Sequence, residues 1–165
     1  SGLGSAGLVA AQMAKAEGAS EVVGFDFIPG RMKQALSYGV DLAIDPRSEQ
    51  GRGLPERTKS GALDVSIDCV GGWPSIKYLM DHTNEITAIF GVQREIYLYW
   101  HGTLKLFGYP GHFYRSAEYA MDLILKGLLD LTPLVTHRLP LEAYDQAVQL
   151  LKDQQAMKVC FLPWE

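Results

Sequence analysis

The sequence predicts an α/β fold, a doubly wound parallel sheet followed by a C-terminal tail of helices and short strands. Three observations lead there. Short apolar runs alternate with helical segments over the first two thirds of the chain, glycines close most of these segments, and two long amphipathic helices follow Tyr109-Pro110-Gly111. Strands and helices alternating at this spacing give a parallel sheet covered on both faces. The expected division is 1–108 for the α/β unit and 109–165 for the tail.

The elements follow in order. An Ala-rich helix is expected from about Ala6 to Glu17, closed by Gly18. Glu21 to Asp26 is a short apolar run ending on an acid and reads as a buried strand. Pro29 suits the first turn of a helix running to about Tyr38, before Gly39. Leu42 to Ile44 is a third short strand, and Arg47 to Ser60 is a polar loop with one weak helical turn. Leu63 to Val70 is a strand closed by Gly71-Gly72, Pro74 opens a helix to about His82, and Glu85 to Phe90 is a strand ending at Gly91. A last strand of the unit is expected around Leu104 to Phe107. In the tail, Ser116 to Leu129 reads as an amphipathic helix with Tyr119, Ala120, Leu123, Ile124 and Gly127 facing inward. Val135 to Leu139 is extended, Leu141 to Asp153 helical, and Lys158 to Leu162 a closing strand. There are no internal repeats and no low-complexity segments.

Bulk properties narrow the function. The chain has 165 residues, 47% hydrophobic and 21% charged, an ordinary globular mix with a real core. A net charge of -4 gives no reason to expect nucleic acid as a partner. No apolar run approaches the roughly 18 residues needed to cross a bilayer, and Ser1 is not followed by a basic-then-apolar leader. Neither a membrane nor export is expected, and the location expected is cytoplasmic. Cys69 and Cys160 stand far apart in strand-like runs and read as buried, reduced thiols, with a disulfide or a metal pair as the minority reading. His82, His101, His112 and His137 are scattered, with no CxxC or HExxH, so a metal site built from this chain alone is not expected.

The chemistry gathers at the start of the chain. Gly2, Gly4 and Gly7 form GxGxxG at the mouth of the first helix, within the run Gly2-Leu3-Gly4-Ser5-Ala6-Gly7. The first glycine permits a tight turn, the second lets a pyrophosphate approach the backbone, and the third lets the helix pack closely. Exposed N–H groups and the positive end of the helix dipole then favour a phosphate. The triplet alone is weak, because glycines fall into this spacing by chance. Asp26 strengthens it: it ends the second strand about 20 residues on, where a carboxylate accepts hydrogen bonds from ribose hydroxyls. Its charge would repel a 2′-phosphate, which favours NAD over NADP. The plain alternative is an ordinary strand-ending acid.

Other candidates carry open alternatives. Arg31 reads equally as a residue over the adenine or ribose and as a solvated residue of a first helical turn. Val70, Gly71, Gly91 and Val92 follow the fourth and fifth strands, where the carboxyl edge of a parallel sheet forms a ligand crevice, and are candidates for the nicotinamide end. Plain turn glycines are the competing reading. Tyr97, Tyr99 and Trp100 suit core or a subunit contact better than a cofactor stack, and His137 beside Arg138 reads as structural. No acid–base set or metal-ligand set emerges, so no catalytic residue is assigned in this chain.

These residues resemble the medium-chain, zinc-containing alcohol dehydrogenase family. The resemblance rests on Gly2 to Leu8 with its Ala-rich helix, Val22-Val23-Gly24-Phe25-Asp26, and Arg31. It continues through Tyr38-Gly39-Val40-Asp41, Ile44-Asp45-Pro46 and Ile67-Asp68-Cys69-Val70-Gly71. The tail carries Leu131-Thr132-Pro133-Leu134-Val135-Thr136-His137-Arg138, Pro140-Leu141-Glu142, Lys158-Val159 and Pro163. The resemblance implies a Rossmann-type cofactor domain using NAD, with zinc and the proton relay supplied by a catalytic domain outside this chain. It implies oxidation of a secondary alcohol or polyol, an alcohol or ketone as small-molecule substrate, and a homodimer or homotetramer paired near Ile96 to Leu106. It also implies a central strand ahead of Ser1, without which two sheet edges stand unpaired and an isolated domain is expected to be unstable. The rival readings are a zinc-independent NAD(P)H reductase of the same superfamily, a non-catalytic nucleotide-binding or oligomerisation domain, and, more distantly, a methyltransferase.

Overall fold

The computed structural model describes residues 1–92, 103–109 and 111–164. Helix α1, Ser5–Ala16, opens the chain. Its alanines favour helix, and Lys15 in the last turn complements the dipole. Strand β1 (Val23–Phe25), helix α2 (Pro29–Ala35, with Pro29 in the first turn) and strand β2 (Leu42–Ile44) follow. The polar loop holds one four-residue turn, α3 (Glu49–Arg52), capped by the Ser48 hydroxyl. Strand β3 (Leu63–Asp68), helix α4 (Trp73–His82), strand β4 (Thr83–Ile89) and strand β5 (Lys105–Gly108) complete the α/β region. The tail holds α5 (Tyr114–Leu125), β6 (Val135–Pro140), α6 (Tyr144–Lys152) and β7 (Lys158–Leu162).

Among the described residues every strand pair is parallel: β1 with β2, β3 with β4, β4 with β5, and β6 with β7. Connecting helices cover the sheets, as parallel strands require. The ladders β1–β2 and β3–β4–β5 form separate sheets. The first two residues run between them. Gly2 N–H donates to the Phe25 carbonyl at 2.7 Å, the Ser1 amine donates to the Ile67 carbonyl at 2.7 Å, and Cys69 N–H donates to the Ser1 carbonyl at 2.9 Å. Beside this rung, a cleft of about 600 Å³ runs between β1 and β3, lined by residues including Val23, Phe25, Val65 and Ile67.

Among the described residues three apolar clusters hold the layers together. Leu3, Leu8, Ala11, Ala35, Val40 and Leu134 join α1, α2 and the tail. Phe25, Ile44 and Leu79 bind β1 and β2 to α4, and Ile76, Met80 and Leu104 pack under the second sheet. Tyr78 meets Phe25 edge-on at 5.3 Å and donates to the Gly51 carbonyl at 2.7 Å, and burial pushes its phenol up to about 12. The tail is tied to α1 by a reciprocal pair: the Gln12 amide donates to the Asp130 carbonyl at 2.9 Å and accepts from Asp130 N–H at 2.6 Å.

The expected elements are present, with shifts at their ends. Strand β1 begins at Val23 rather than Glu21, because the backbone of Val22 is taken by Asp41: Val22 N–H donates to the Asp41 carboxylate and the Val22 carbonyl accepts Asp41 N–H. The tail helix begins at Tyr114 and ends at Leu125, and this corrects its expected inner face. Leu123 is buried, with Ala120 and Ile124 half-buried beside it, but Tyr119 and Gly127 are exposed. Gly127 lies past the helix, donating to the Ile124 carbonyl at 3.0 Å, and the Tyr119 hydroxyl reaches outward to the Glu17 carboxylate. Cys69 and Cys160 are free thiols, half-buried rather than enclosed. Tyr97, Tyr99, Trp100, His101 and most of the expected pairing segment from Ile96 lie outside the described residues. Among the described residues no helix is long and apolar enough to cross a membrane.

Candidate functional site

The carboxyl ends of β1 and β3 meet the residues ahead of α1 at one edge of the sheets, and the end of β4 lies beside that of β3. The chain turns through Gly2, Leu3 and Gly4 and enters α1 at Ser5, followed by Ala6 and Gly7. Close approach explains Gly7. A Cβ there would lie 1.8 Å from the Gly2 carbonyl oxygen, a distance no side chain tolerates. Replacing Gly7 with Ala is therefore expected to push the loop off the helix. The cost should be at least about 1–3 kcal/mol, the usual range for overpacking, and chemical denaturation measures it; an unchanged midpoint would contradict the packing described here. Gly4 is the opposite case, since a Cβ there meets no protein atom within 4 Å. Open space lies over Gly4, and as the N-cap residue Gly4 has no side chain with which to cap the first-turn amides of α1.

Asp26 lies against this loop. Its Oδ2 accepts the Leu3 N–H at 2.8 Å and its Oδ1 accepts the Ile28 N–H at 2.9 Å. Only 9% of the residue is exposed. Arg31, in the first turn of α2, brings a guanidinium nitrogen to 3.9 Å from the same Oδ2. Three of the expected positions, Leu3, Asp26 and Arg31, are thus in one hydrogen-bonded and ionic group. Each carboxylate oxygen has a second lone-pair direction left for another donor.

Val70, Gly71, Gly91 and Val92 come together a short way along the edge. They line a cavity of about 480 Å³ with Cys69, Gly72 and Phe90. Val70 and Val92 are exposed and Gly71 is buried. The two turns touch backbone to backbone: a Cβ on Gly71 would lie 2.3 Å from the Val92 carbonyl oxygen, and one on Gly91 would lie 2.1 Å from the Gly71 nitrogen. Gly71 also has φ +85, a conformation side chains rarely adopt. Burial pushes the Cys69 thiol above its ordinary range, which keeps it protonated and poorly nucleophilic at neutral pH.

Two features of this edge escaped the sequence reading. Arg47 stacks its guanidinium 4.1 Å from the Phe27 ring centroid and pairs with Asp45, whose carboxyl that hydrogen bond holds below the usual range. Phe27 follows Asp26 directly, so this cation–π pair flanks the acid. The second is Asp68, fully buried at the end of β3, which accepts from Gly71 N–H and the Ser75 hydroxyl. A signal existed: an Asp three residues before a glycine at a strand end marks a side chain turning back to its own backbone. Among the described residues no three His, Cys, Asp or Glu side chains gather as a metal site, so these residues do not fit zinc.

Comparison with known proteins agrees with this architecture. Residues 6–91 match the family model described as zinc-binding dehydrogenase. "Alcohol dehydrogenase-like 4" of Arabidopsis thaliana is 28% identical over 98% of this chain and 46% of its own length. An L-threonine 3-dehydrogenase of Yersinia pestis is 27% identical over 100% of this chain and 50% of its own length. Alcohol dehydrogenase TADH from Thermus sp. ATN1 superposes with a TM-score of 0.81 at 23% identity, covering 96% of this chain and 49% of that one, a likeness of fold. The chain spans about half the length of the curated relatives it matches.

Proposed function

Because this chain belongs to the zinc-binding dehydrogenase family, we propose that it is the NAD-binding portion of an oxidoreductase that moves hydride between a secondary alcohol or polyol and NAD. The observation that carries the reading is the Asp26 carboxylate fastened to the Leu3 amide of the glycine loop. It puts a fixed negative acceptor one step from a helix N-terminus whose N-cap is a glycine, the pairing that a ribose next to a diphosphate needs. Gly2, Leu3, Gly4, Ser5, Ala6 and Gly7 would hold the diphosphate, with the open space over Gly4 admitting it. Asp26 would take the ribose hydroxyls, with Arg31 beside it. Val70, Gly71, Gly91 and Val92 would border the nicotinamide end. When bound, the nicotinamide ring supplies the hydride acceptor or donor; this chain's part is to orient that ring and exclude the 2′-phosphate.

The reading includes a cofactor unit at 1–108 and a tail at 109–165, a cytoplasmic location, and a homodimer or homotetramer. Zinc and the proton relay belong, in this reading, to a domain outside this chain. Calorimetric titration of the full-length protein with NAD and with NADP tests it. NAD is expected to bind at least about tenfold more tightly, a difference of about 1.4 kcal/mol. Equal or tighter binding of NADP would overturn the assignment of NAD, and no binding of either would overturn the cofactor reading. Metal analysis of the same protein separates the zinc enzyme from a zinc-independent reductase.

A further inference from the structure

We propose that Asp68 is a positioning residue that sets both glycine turns beneath the nicotinamide end of the site, an inference that rests on the cofactor reading above. One residue holds two turns by two different groups. Its carboxylate Oδ2 accepts Gly71 N–H at 2.8 Å, and its Oδ1 accepts the Ser75 hydroxyl at 2.6 Å and, more weakly, Val70 N–H at 3.4 Å. Its backbone carbonyl accepts both Phe90 N–H and Gly91 N–H, each at 2.9 Å. The first set shapes the turn after β3, and the second shapes the turn after β4.

The two turns cannot move separately. Gly71 and Gly91 are in backbone contact with no room for a methyl group, so displacing one turn displaces the other. Ser75 lies in the first turn of α4 and donates from the helix side, so the carboxylate is also anchored to a third element. A carboxylate with no exposed surface is costly to bury unless donors surround it, and these donors lie on the turn and helix that border the cavity. The ribose-side residues lie elsewhere: Asp26 carries its own amides at Leu3 and Ile28. Asp68 thus bonds directly to the turns of one end of the site and to none of the ribose-side residues, although Ser75 also meets the Ser1 hydroxyl at 2.8 Å.

That separation supplies the test. Asp68→Asn and Ser75→Ala are made in the full-length protein, and affinity is measured for NAD and for AMP, which carries only the adenosine half. Asp68→Asn keeps the side-chain size but turns an acceptor into a donor facing Gly71 N–H or the Ser75 hydroxyl. NAD affinity should fall about tenfold or more, and about three- to fivefold in Ser75→Ala, while AMP affinity stays within about twofold of wild type. Parallel loss of NAD and AMP binding would mean a general effect on folding and would overturn the proposal. Unchanged NAD affinity would overturn it as well. Should Asp68→Asn fail to fold, Ser75→Ala decides by the same two ligands. A wild-type protein that binds neither ligand would instead bring down the cofactor reading itself, and this inference with it.

Discussion

Replacing Asp26 with Ala is expected to weaken NAD binding by on the order of 1–3 kcal/mol through the loss of charged hydrogen bonds to the ribose. That corresponds to roughly 5- to 150-fold in affinity. The structure adds a second effect, because the same carboxylate accepts the Leu3 and Ile28 amides. Leu3 is buried, so its N–H would be left without a partner away from water. Stability should fall by a further about 1–3 kcal/mol. Asp26→Asn separates the two effects: it keeps one oxygen acceptor for the loop and loses the charge that opposes a 2′-phosphate. The Asn variant should hold more stability than the Ala variant while discriminating less between NAD and NADP. Calorimetry reads the affinities and denaturant titration the stabilities. Undiminished NAD affinity in the Ala variant would take Asp26 out of the site.

The largest loss of stability is expected one residue earlier. Phe25 is 1% exposed and packs against Ile44 and Leu79, with Tyr78 edge-on to its ring. Truncation to Ala removes most of that contact surface and leaves a cavity, which costs about 3–5 kcal/mol for a buried aromatic. The effect should reach the site too, because the Phe25 carbonyl accepts Gly2 N–H and the next residue is Asp26. Strand β1 thus delivers both the acid and one anchor of the loop. A denaturation experiment showing a loss below about 1 kcal/mol would mean the Phe25 pocket collapses around the missing ring.

Much of this was legible because some positions allow few alternatives. Gly7 must be small to let the loop close on the helix, and its spacing from Gly2 and Gly4 records that need in the chain itself. The short apolar runs at Leu42–Ile44 and Lys158–Leu162 announce β2 and β7, and the run Leu63–Asp68, with Gly71-Gly72 just beyond it, announces β3. The parts that were not legible depend on partners far away in sequence. The sequence Leu63-Asp64-Val65-Ser66-Ile67-Asp68 reads as one alternating strand, and nothing local separates exposed Asp64 from Asp68, which is fully buried. Only the fold brings Ser75 and Gly91 to Asp68. The pairing of Arg47 with Phe27 is hidden for the same reason, because the two residues follow different strands. The ends of α5 were misjudged because Gly127 fits an amphipathic stripe by spacing, although it lies in the turn after the helix.

The dipeptide Ser1-Gly2 has a mechanical consequence. It is the rung between a sheet that carries Asp26 and a sheet that carries Asp68. A ligand long enough to touch both acids' neighbourhoods would add a further brace across the same seam, which the packing of Phe25 against Leu79 and Leu63 already spans. The cofactor would then be part of the scaffold as well as cargo, and filling the site would stiffen β1 and β3 against each other.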